Sequence, residues 1–183
     1  MGMGKNIKIG ITGLPGAGKT QSLTRVIEML EKEGKIVGGM ITTPVVEHNR
    51  RTGFYVMNWL SKEKEIFAHI KFSSKIVIGR YGVNLEVLER VGVKALEQAA
   101  AEAEIIVIDE IGKMEVESDR FVDAVKNVLD LEKTIIMTLH KKSRNVLLQE
   151  IRRRDDMRIL EVTPINRNLL PYKIMKLLSG ELL

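Results

Sequence analysis

The chain has 183 residues, a formal net charge of +5 and no cysteine. The lack of cysteine excludes disulfides, thiolate catalysis and metal sites built on cysteine. No apolar run approaches the roughly 20 residues that cross a bilayer, and no apolar leader precedes the first predicted strand, so we expect a single cytoplasmic domain over residues 1–183 with no membrane partner.

The first half of the chain predicts strands around one amphipathic helix. Residues 6–12 predict a strand, and residues 19–33 predict a helix that ends at Gly34. Because no helix separates the β-like runs that follow, these runs predict a small antiparallel hairpin or meander attached to a parallel sheet. The runs lie at residues 35–46, 52–60 and 65–70.

The second half predicts alternating helices and strands. Residues 85–103 are rich in Leu, Ala and Glu, which predicts a helix with a break at Gly92. Near-continuous branched aliphatics predict strands buried on both faces at 104–110 and 134–140. The remaining predicted elements are a helix at 118–131 with Ser118 as N-cap, a helix at 143–153, a short strand at 159–163 and a helix at 169–182. The whole pattern indicates a three-layer α/β fold with a mainly parallel sheet and helices on both faces.

The motif GLPGAGKT lies between the first predicted strand and the helix that follows, which is the setting of a phosphate-binding loop. Its glycines let consecutive N–H groups converge on phosphates at a helix N-terminus. Lys19 is expected to reach the β- and γ-phosphates, and the Thr20 hydroxyl to bind Mg²⁺. The predicted loop consists of Gly13, Leu14, Pro15, Gly16, Ala17, Gly18, Lys19 and Thr20.

Two carboxylates end the predicted strand at 104–110. Ligands bind where parallel strands end, so Asp109 and Glu110 should face the nucleotide. Asp109 suits Mg²⁺, and Glu110 suits a general base that takes a proton from water. A base dedicated to water favours hydrolysis over transfer to an acceptor hydroxyl, because water would compete with that acceptor.

Other residues have two open interpretations each. His140 could bind the γ-phosphate or the attacking water, or it could be an ordinary surface histidine. Lys113 could add positive charge to the transition state, or it could be a solvated loop lysine. Arg80 and Arg167 are candidate phosphate clamps, although surface ion pairs are the favoured interpretation. The Arg152–Arg154 run suggests a lid over the phosphates, although a solvated helix end is favoured.

The amino-acid composition does not indicate a particular macromolecular partner. The 29 basic and 24 acidic residues are interspersed, which is typical of a surface held by ion pairs and suits a thermophile. A nucleic-acid or protein partner stays open, but the few aromatic residues do not indicate a stacking surface. His48, His69 and His140 form no metal-binding motif, so Mg²⁺ brought by a nucleotide is the expected cofactor.

Two further function classes fit the same loop. One is a small-molecule or nucleoside kinase, in which the Arg152–Arg154 run would act as the lid. The other is a nucleotide-gated switch or assembly protein with weak hydrolysis, in which a partner could supply an arginine. Phosphate loops do not read the base, so the preferred base is not indicated, nor are the oligomeric state and the biological role.

Several segments together resemble the thermophilic nucleoside-triphosphatase family, whose animal members are called cancer-related nucleoside-triphosphatases. They are GITGLPGAGKT at 10–20, RRTGF at 50–54, GRYGV at 79–83, IIVIDEIGKME at 105–115, TLH at 138–140 and VTPINRNLLP at 162–171. The family often has Lys at the position of Arg80 and Asp at the position of Asn168, which weakens any role assigned to these two residues.

The resemblance implies a RecA-like fold with an extra strand between the strand of the phosphate loop and the strand of the Asp–Glu pair. It also implies slow Mg²⁺-dependent hydrolysis of ATP, GTP, CTP, UTP and TTP to diphosphate and phosphate, with low base selectivity. The nucleotide site that it implies comprises the phosphate loop and the residues Ile105, Ile106, Val107, Ile108, Asp109, Glu110, Ile111 and Gly112.

Overall fold

A computed structural model describes residues 7–181, which form a nine-stranded sheet flanked by helices. The strands are β1 (Lys8–Gly13), β2 (Val37–Glu47), β3 (Arg50–Asn58), β4 (Lys64–His69), β5 (Val77–Ile78), β6 (Tyr81–Val83), β7 (Ile105–Ile111), β8 (Thr134–His140) and β9 (Met157–Glu161). The start of the first predicted strand, residue 6, and the end of the last predicted helix, residue 182, lie outside the described residues.

Six α-helices cover the sheet within the described residues. They are α1 (Lys19–Lys32), α2 (Leu85–Val87), α3 (Lys94–Glu102), α4 (Asp119–Leu129), α5 (Val146–Arg152) and α6 (Leu170–Leu178). A π-helical segment, Leu88–Val93, joins α2 to α3, and a 3₁₀ turn, Glu115–Glu117, precedes α4. No helix within residues 7–181 is long and apolar enough to cross a membrane.

The parallel part of the sheet has the order β2-β7-β8-β1-β9. Strand β8 lies between β1, which leads into the phosphate loop, and β7, which carries the Asp–Glu pair. The predicted extra strand is therefore confirmed. Because these strands run parallel, their carboxyl ends meet at one edge, and Gly13 of β1 is paired in register with His140 of β8.

The antiparallel part is larger than the small hairpin predicted from the sequence. It comprises β3, β4, β6 and β5, added in that order beyond β2. The β2–β3 turn uses His48 and Asn49 at φ 49° and 61°, the left-handed conformation that tight hairpin turns require. The last two strands are only two and three residues long, too short for the alternating pattern that marks a strand in a sequence.

Each face of the sheet has its own apolar core. Ile106 and Ile108 of β7 pack in the cluster with α3 and α4, whereas Ile105 and Val107 pack in the cluster with α1 and α6. All four side chains are fully buried. Burial on both faces explains why this strand is continuously aliphatic rather than alternating.

The helix predicted over residues 85–103 is not broken at Gly92, in contrast to the expectation. The helix widens into the π-helical segment Leu88–Val93 and continues into α3. A Cβ at Gly92 would lie 2.7 Å from the Met40 sulfur of β2. The glycine therefore permits a close approach between helix and sheet instead of ending the helix. The predicted N-cap of α4 is confirmed, since the Ser118 hydroxyl accepts a 3.1 Å hydrogen bond from the Phe121 amide.

Candidate nucleotide site

The phosphate loop connects β1 to α1 at the carboxyl edge of the sheet. Gly18 is the N-cap of α1 at φ 110°, a conformation that favours glycine, and no side chain caps this helix end. The first amides of α1 are therefore available to an anion. Gly13 is needed because a Cβ there would lie 2.8 Å from the Val162 carbonyl oxygen. Gly18 thus shapes a helix N-terminus that can bind phosphates, and Gly13 lets the start of the loop pack closely against Val162.

Lys19 is positioned before any substrate arrives. Its ammonium group donates a 2.8 Å hydrogen bond to the Gly13 carbonyl and lies 3.6 Å from a Glu110 carboxylate oxygen. Only 8% of the residue is exposed. The long side chain is therefore held across the loop, where its charge can attract the terminal phosphates of a triphosphate.

Asp109 has two unequal carboxylate oxygens. One accepts hydrogen bonds from the hydroxyls of Thr138 at 2.6 Å and Thr20 at 3.3 Å. The other is buried and has no hydrogen-bond partner among the described residues. Burial raises the pKa of this carboxyl to about 6, against the hydrogen bonds from Thr138 and Thr20, which lower it.

The donor set around Asp109 fits a divalent cation. An orphaned carboxylate oxygen beside a threonine hydroxyl is an arrangement that oxygen-loving cations satisfy. Within residues 7–181 there is no cluster of three or more His, Asp or Glu side chains that could hold a metal ion. A cation held by Asp109 and Thr20 would complete its coordination with waters and substrate phosphates.

Glu110 follows Asp109 through a cis peptide bond, where the pairing of β7 with β8 is irregular between Ile108 and Ile111. Its side chain is 29% exposed. The carboxylate is thus half-buried beside Lys19, the lysine of the phosphate loop.

Glu115 was not singled out in the sequence. A Cβ at Gly112 would lie 3.0 Å from a Glu110 oxygen and 3.1 Å from a Glu115 oxygen, so the two carboxyl groups flank the same glycine. Glu115 is 6% exposed, and burial, followed by the charge of Glu110, raises its pKa to about 8. Only its place in the string IGKME could have drawn attention, because the 3₁₀ turn that directs it inward is invisible in the sequence.

His140 lies at the end of β8, beside the first residue of the phosphate loop. Its Nδ1 accepts a 3.0 Å hydrogen bond from the Ser143 amide. Partial burial lowers its pKa, although the charge of Glu110 opposes this, so the neutral ring is favoured. Lys113 is exposed, and its charge acts on His140, which places it at the margin of the site.

The candidate arginines differ in their surroundings. Arg152 donates to backbone carbonyls of the segment after β8, and Arg154 donates to Asp156 and to the Leu129 carbonyl. Both guanidinium groups are thus held by the protein. Arg80 donates to the Arg51 carbonyl at 2.7 Å in the antiparallel part of the sheet. The exposed Arg167 places its stem 3.4 Å from where a Cβ of the loop residue Gly18 would stand, so it is the candidate that touches the phosphate loop.

A phosphate loop between a parallel strand and a helix, facing an Asp–Glu strand end two strands away, defines a nucleotide-binding P-loop NTPase. A family model described as NTPase matches residues 8–175. The nucleoside-triphosphatase THEP1 of Picrophilus torridus is 45% identical over 175 residues, which cover 96% of this chain and 97% of that protein. The THEP1 protein of Thermoplasma volcanium is 39% identical over 175 residues, 96% of this chain and 98% of that protein.

Solved structures of nucleoside-triphosphatases have the same fold as this chain. The crystal structure of THEP1 from the hyperthermophile Aquifex aeolicus matches with a TM-score of 0.83 and 38% identity, over 94% of this chain and 99% of that one. The solution structure of a human cancer-related nucleoside triphosphatase matches with a TM-score of 0.82 and 30% identity, over 97% of this chain and 100% of that one. The chain therefore belongs to the NTPase family, and it is an enzyme of the nucleoside-triphosphatase class.

Proposed function

We propose that the protein hydrolyses nucleoside 5'-triphosphates to diphosphate and phosphate in a Mg²⁺-dependent reaction with low base selectivity. ATP, GTP, CTP, UTP and TTP are the proposed substrates, with nucleoside diphosphates used more weakly. The observation that carries the proposal is the 3.6 Å contact between the Lys19 ammonium and the Glu110 carboxylate, since it joins a phosphate-binding cation to a base at the same point.

Binding is assigned to the phosphate loop and to Lys19. The uncapped amides at the start of α1 would bind the phosphates, and the Lys19 ammonium, held at Gly13 and Glu110, would bind the terminal phosphate oxygens. A Mg²⁺ ion held near Thr20 and Asp109 would neutralise charge on the β- and γ-phosphates when bound. Backbone amides and positive charge are sufficient to bind the phosphates, so this step requires no further side chain.

Water activation is assigned to Glu110. The water oxygen forms a bond to the γ-phosphorus while the bond from phosphorus to the bridging oxygen breaks, and the water proton passes to the Glu110 carboxylate. The Glu110 carboxylate is half-buried, so water can reach it, and it lies beside Lys19, which is proposed to bind the phosphates. General bases of this kind contribute about 10²- to 10⁴-fold in rate.

Low base selectivity is supported by the kind of groups in the site. The glycine amides, Lys19, Thr20 and Asp109 all address phosphates or the cation, and these are common to every nucleoside triphosphate.

The test compares phosphate release and nucleotide binding in the same variants. Glu110→Gln should lower turnover by about 10²- to 10⁴-fold while a fluorescent ATP analogue still binds. Lys19→Ala should abolish that binding. Glu117→Gln, an exposed acid in the same segment, is the matched control and should keep normal turnover.

A second measurement separates hydrolysis from transfer. Incubation with γ-labelled ATP and a pool of nucleosides should give free labelled phosphate and no labelled nucleoside. If the label appears on an acceptor, the protein is a kinase. If Glu110→Gln retains full turnover, another group is the base.

A further inference from the structure

The segment that follows β8 is fastened by one arginine. Arg152, in the last turn of α5, donates hydrogen bonds to three backbone carbonyls: His140 at 2.8 Å, Ser143 at 3.0 Å and Lys141 at 3.3 Å. We call residues 140–143 the β8 turn. One planar guanidinium group therefore spans the whole turn, which a single ammonium group could not do with the same geometry.

A second anchor ties the β8 turn to the start of α5. Asn145 caps that helix by accepting from the Leu148 amide at 2.9 Å, and its side-chain nitrogen donates to the Ser143 hydroxyl at 2.9 Å. Ser143 is 7% exposed. The turn is thus held at both ends of a short helix, and its backbone position depends on α5.

The β8 turn also decides which nitrogen of His140 carries the proton. The Ser143 amide is a donor, so Nδ1 must be the acceptor, and the neutral ring then carries its hydrogen on Nε2. Among residues 7–181 the ring is hydrogen-bonded through Nδ1 only. Nε2–H is therefore available as a donor to an oxygen.

The backbone of His140 is also fixed relative to the phosphate loop. His140 is the register partner of Gly13, whose carbonyl anchors Lys19 at 2.8 Å. The backbone of His140, the anchor of Lys19 and the start of the loop thus lie together at this edge of the sheet, and the charges of Lys19 and Glu110 act on the ring. A shift of the β8 turn would move Nε2–H relative to the terminal phosphate.

We propose that Arg152 is a positioning residue, which holds the β8 turn so that neutral His140 presents Nε2–H to the γ-phosphate or to the attacking water. The inference rests on the hydrolysis proposed above and assigns Arg152 a role distinct from a lid. Arg152 touches no substrate. It acts through the carbonyls of the turn and the ring orientation that they impose.

Arg152→Gln is the variant that tests this role, and Arg152→Lys is the conservative companion. Arg154→Gln is the matched control, because Arg154 lies near the same helix end and makes comparable hydrogen bonds, to Asp156 and to the Leu129 carbonyl, away from the turn. If Arg152 only stabilises the fold, Arg152→Gln should change the His140 tautomer and kcat no more than Arg154→Gln does.

The first readout is the histidine tautomer, measured by long-range ¹H–¹⁵N correlation in the whole protein. The chain has three histidines, so the signals can be assigned by replacing each one in turn. The wild type should show His140 with hydrogen on Nε2. Arg152→Gln should show a mixture of tautomers, Arg152→Lys a smaller change, and Arg154→Gln none.

The second readout is kinetic. Misplacing a reacting group by about 1 Å can cost about 10²-fold, so Arg152→Gln should lower kcat by roughly 10- to 100-fold with KM for ATP changed less than about twofold. Arg152→Lys should recover part of the loss. In a His140→Ala background, Arg152→Gln should have no further effect on kcat, since the positioned group is gone.

The outcomes separate this proposal from the proposed function. If the Nε2 tautomer persists in Arg152→Gln, or if the variant lowers kcat equally with and without His140, the positioning role is wrong although hydrolysis stands. If the wild type releases no phosphate from any nucleoside triphosphate, the hydrolytic function is wrong, and the tautomer measurement still shows whether Arg152 orients the ring.

Discussion

Thr138 of β8 donates a 2.6 Å hydrogen bond to Asp109 of the neighbouring strand β7, and both side chains are buried. The bond engages the carboxylate oxygen that also accepts from Thr20, and it leaves the second oxygen without a partner among the described residues. The hydroxyl therefore fixes the rotation of the carboxylate and leaves its second oxygen as the one that could bind the proposed Mg²⁺ ion.

Replacing Thr138 by Val should raise the Mg²⁺ concentration that the enzyme requires. The change removes the hydroxyl while keeping the branched shape, so Asp109 loses its shortest hydrogen bond and we expect a loss of stability of about 1–3 kcal/mol. The Mg²⁺ concentration that gives half-maximal phosphate release should rise. Thr134→Val, buried in the same strand, is the control and should leave that concentration unchanged. An unaltered Mg²⁺ profile in Thr138→Val would show that the hydroxyl does not orient the carboxylate.

Acid should raise the Mg²⁺ requirement. Burial raises the pKa of Asp109 to about 6, so protons occupy this ligand as the pH falls below that value and the cation must displace them. We expect the half-saturating Mg²⁺ concentration to be constant above pH 7 and to rise by up to about tenfold per pH unit below 6. Phosphate release measured against Mg²⁺ concentration at pH 5, 6, 7 and 8 checks this. A flat profile would remove Asp109 from the ligand set.

Most of the fold could be predicted because its signals are local. Strand β7 is continuously aliphatic since both faces are buried, and the glycines and lysine of the phosphate loop follow from the chemistry of binding phosphate. The short strands β5 and β6 could not be predicted, because two or three residues carry no periodicity. Gly92 was interpreted as a break, because a sequence does not show that Met40 lies opposite it.

The site was predicted unevenly for the same reason. Glu110 and Lys19 belong to recognisable patterns, and the structure places them 3.6 Å apart. Glu115 and Arg152 were missed or interpreted as surface residues, because acids in loops and arginines at helix ends are normally solvated. Their surroundings come from tertiary contacts: Glu115 turns inward at a 3₁₀ turn, and Arg152 donates to carbonyls of the β8 turn.

Glu115 should make the metal-free protein less stable as the pH rises. Burial raises its folded pKa to about 8 from the ordinary 4.5, so the stabilising contribution of the protonated group is fully present below pH 4.5 and is lost as the pH rises through 8. Glu115→Gln has no such proton and should be more stable than the wild type at pH 8–9, by a few kcal/mol at most. Urea unfolding of both proteins from pH 5 to 9 measures the difference.

The control for that comparison is Glu117→Gln, an exposed residue of the same 3₁₀ turn. It should follow the wild-type dependence on pH. If Glu115→Gln loses stability in parallel with the wild type, then Glu115 is ionised in the folded protein, and the raised pKa is wrong.

Gly92→Ala should destabilise the fold without touching the site. A Cβ at this position would lie 2.7 Å from the Met40 sulfur and 3.3 Å from a Val56 methyl carbon, and both distances are shorter than a Cβ atom normally makes. Overpacking of this kind costs about 1–3 kcal/mol, which urea unfolding can measure. Because the sulfur belongs to a flexible side chain, shortening it in the double variant Gly92→Ala with Met40→Val should recover part of the loss. Recovery would show that the clash arises between the π-helical segment and β2. If the single variant keeps wild-type stability, the helix can move off the sheet, and the glycine is not needed for their close approach.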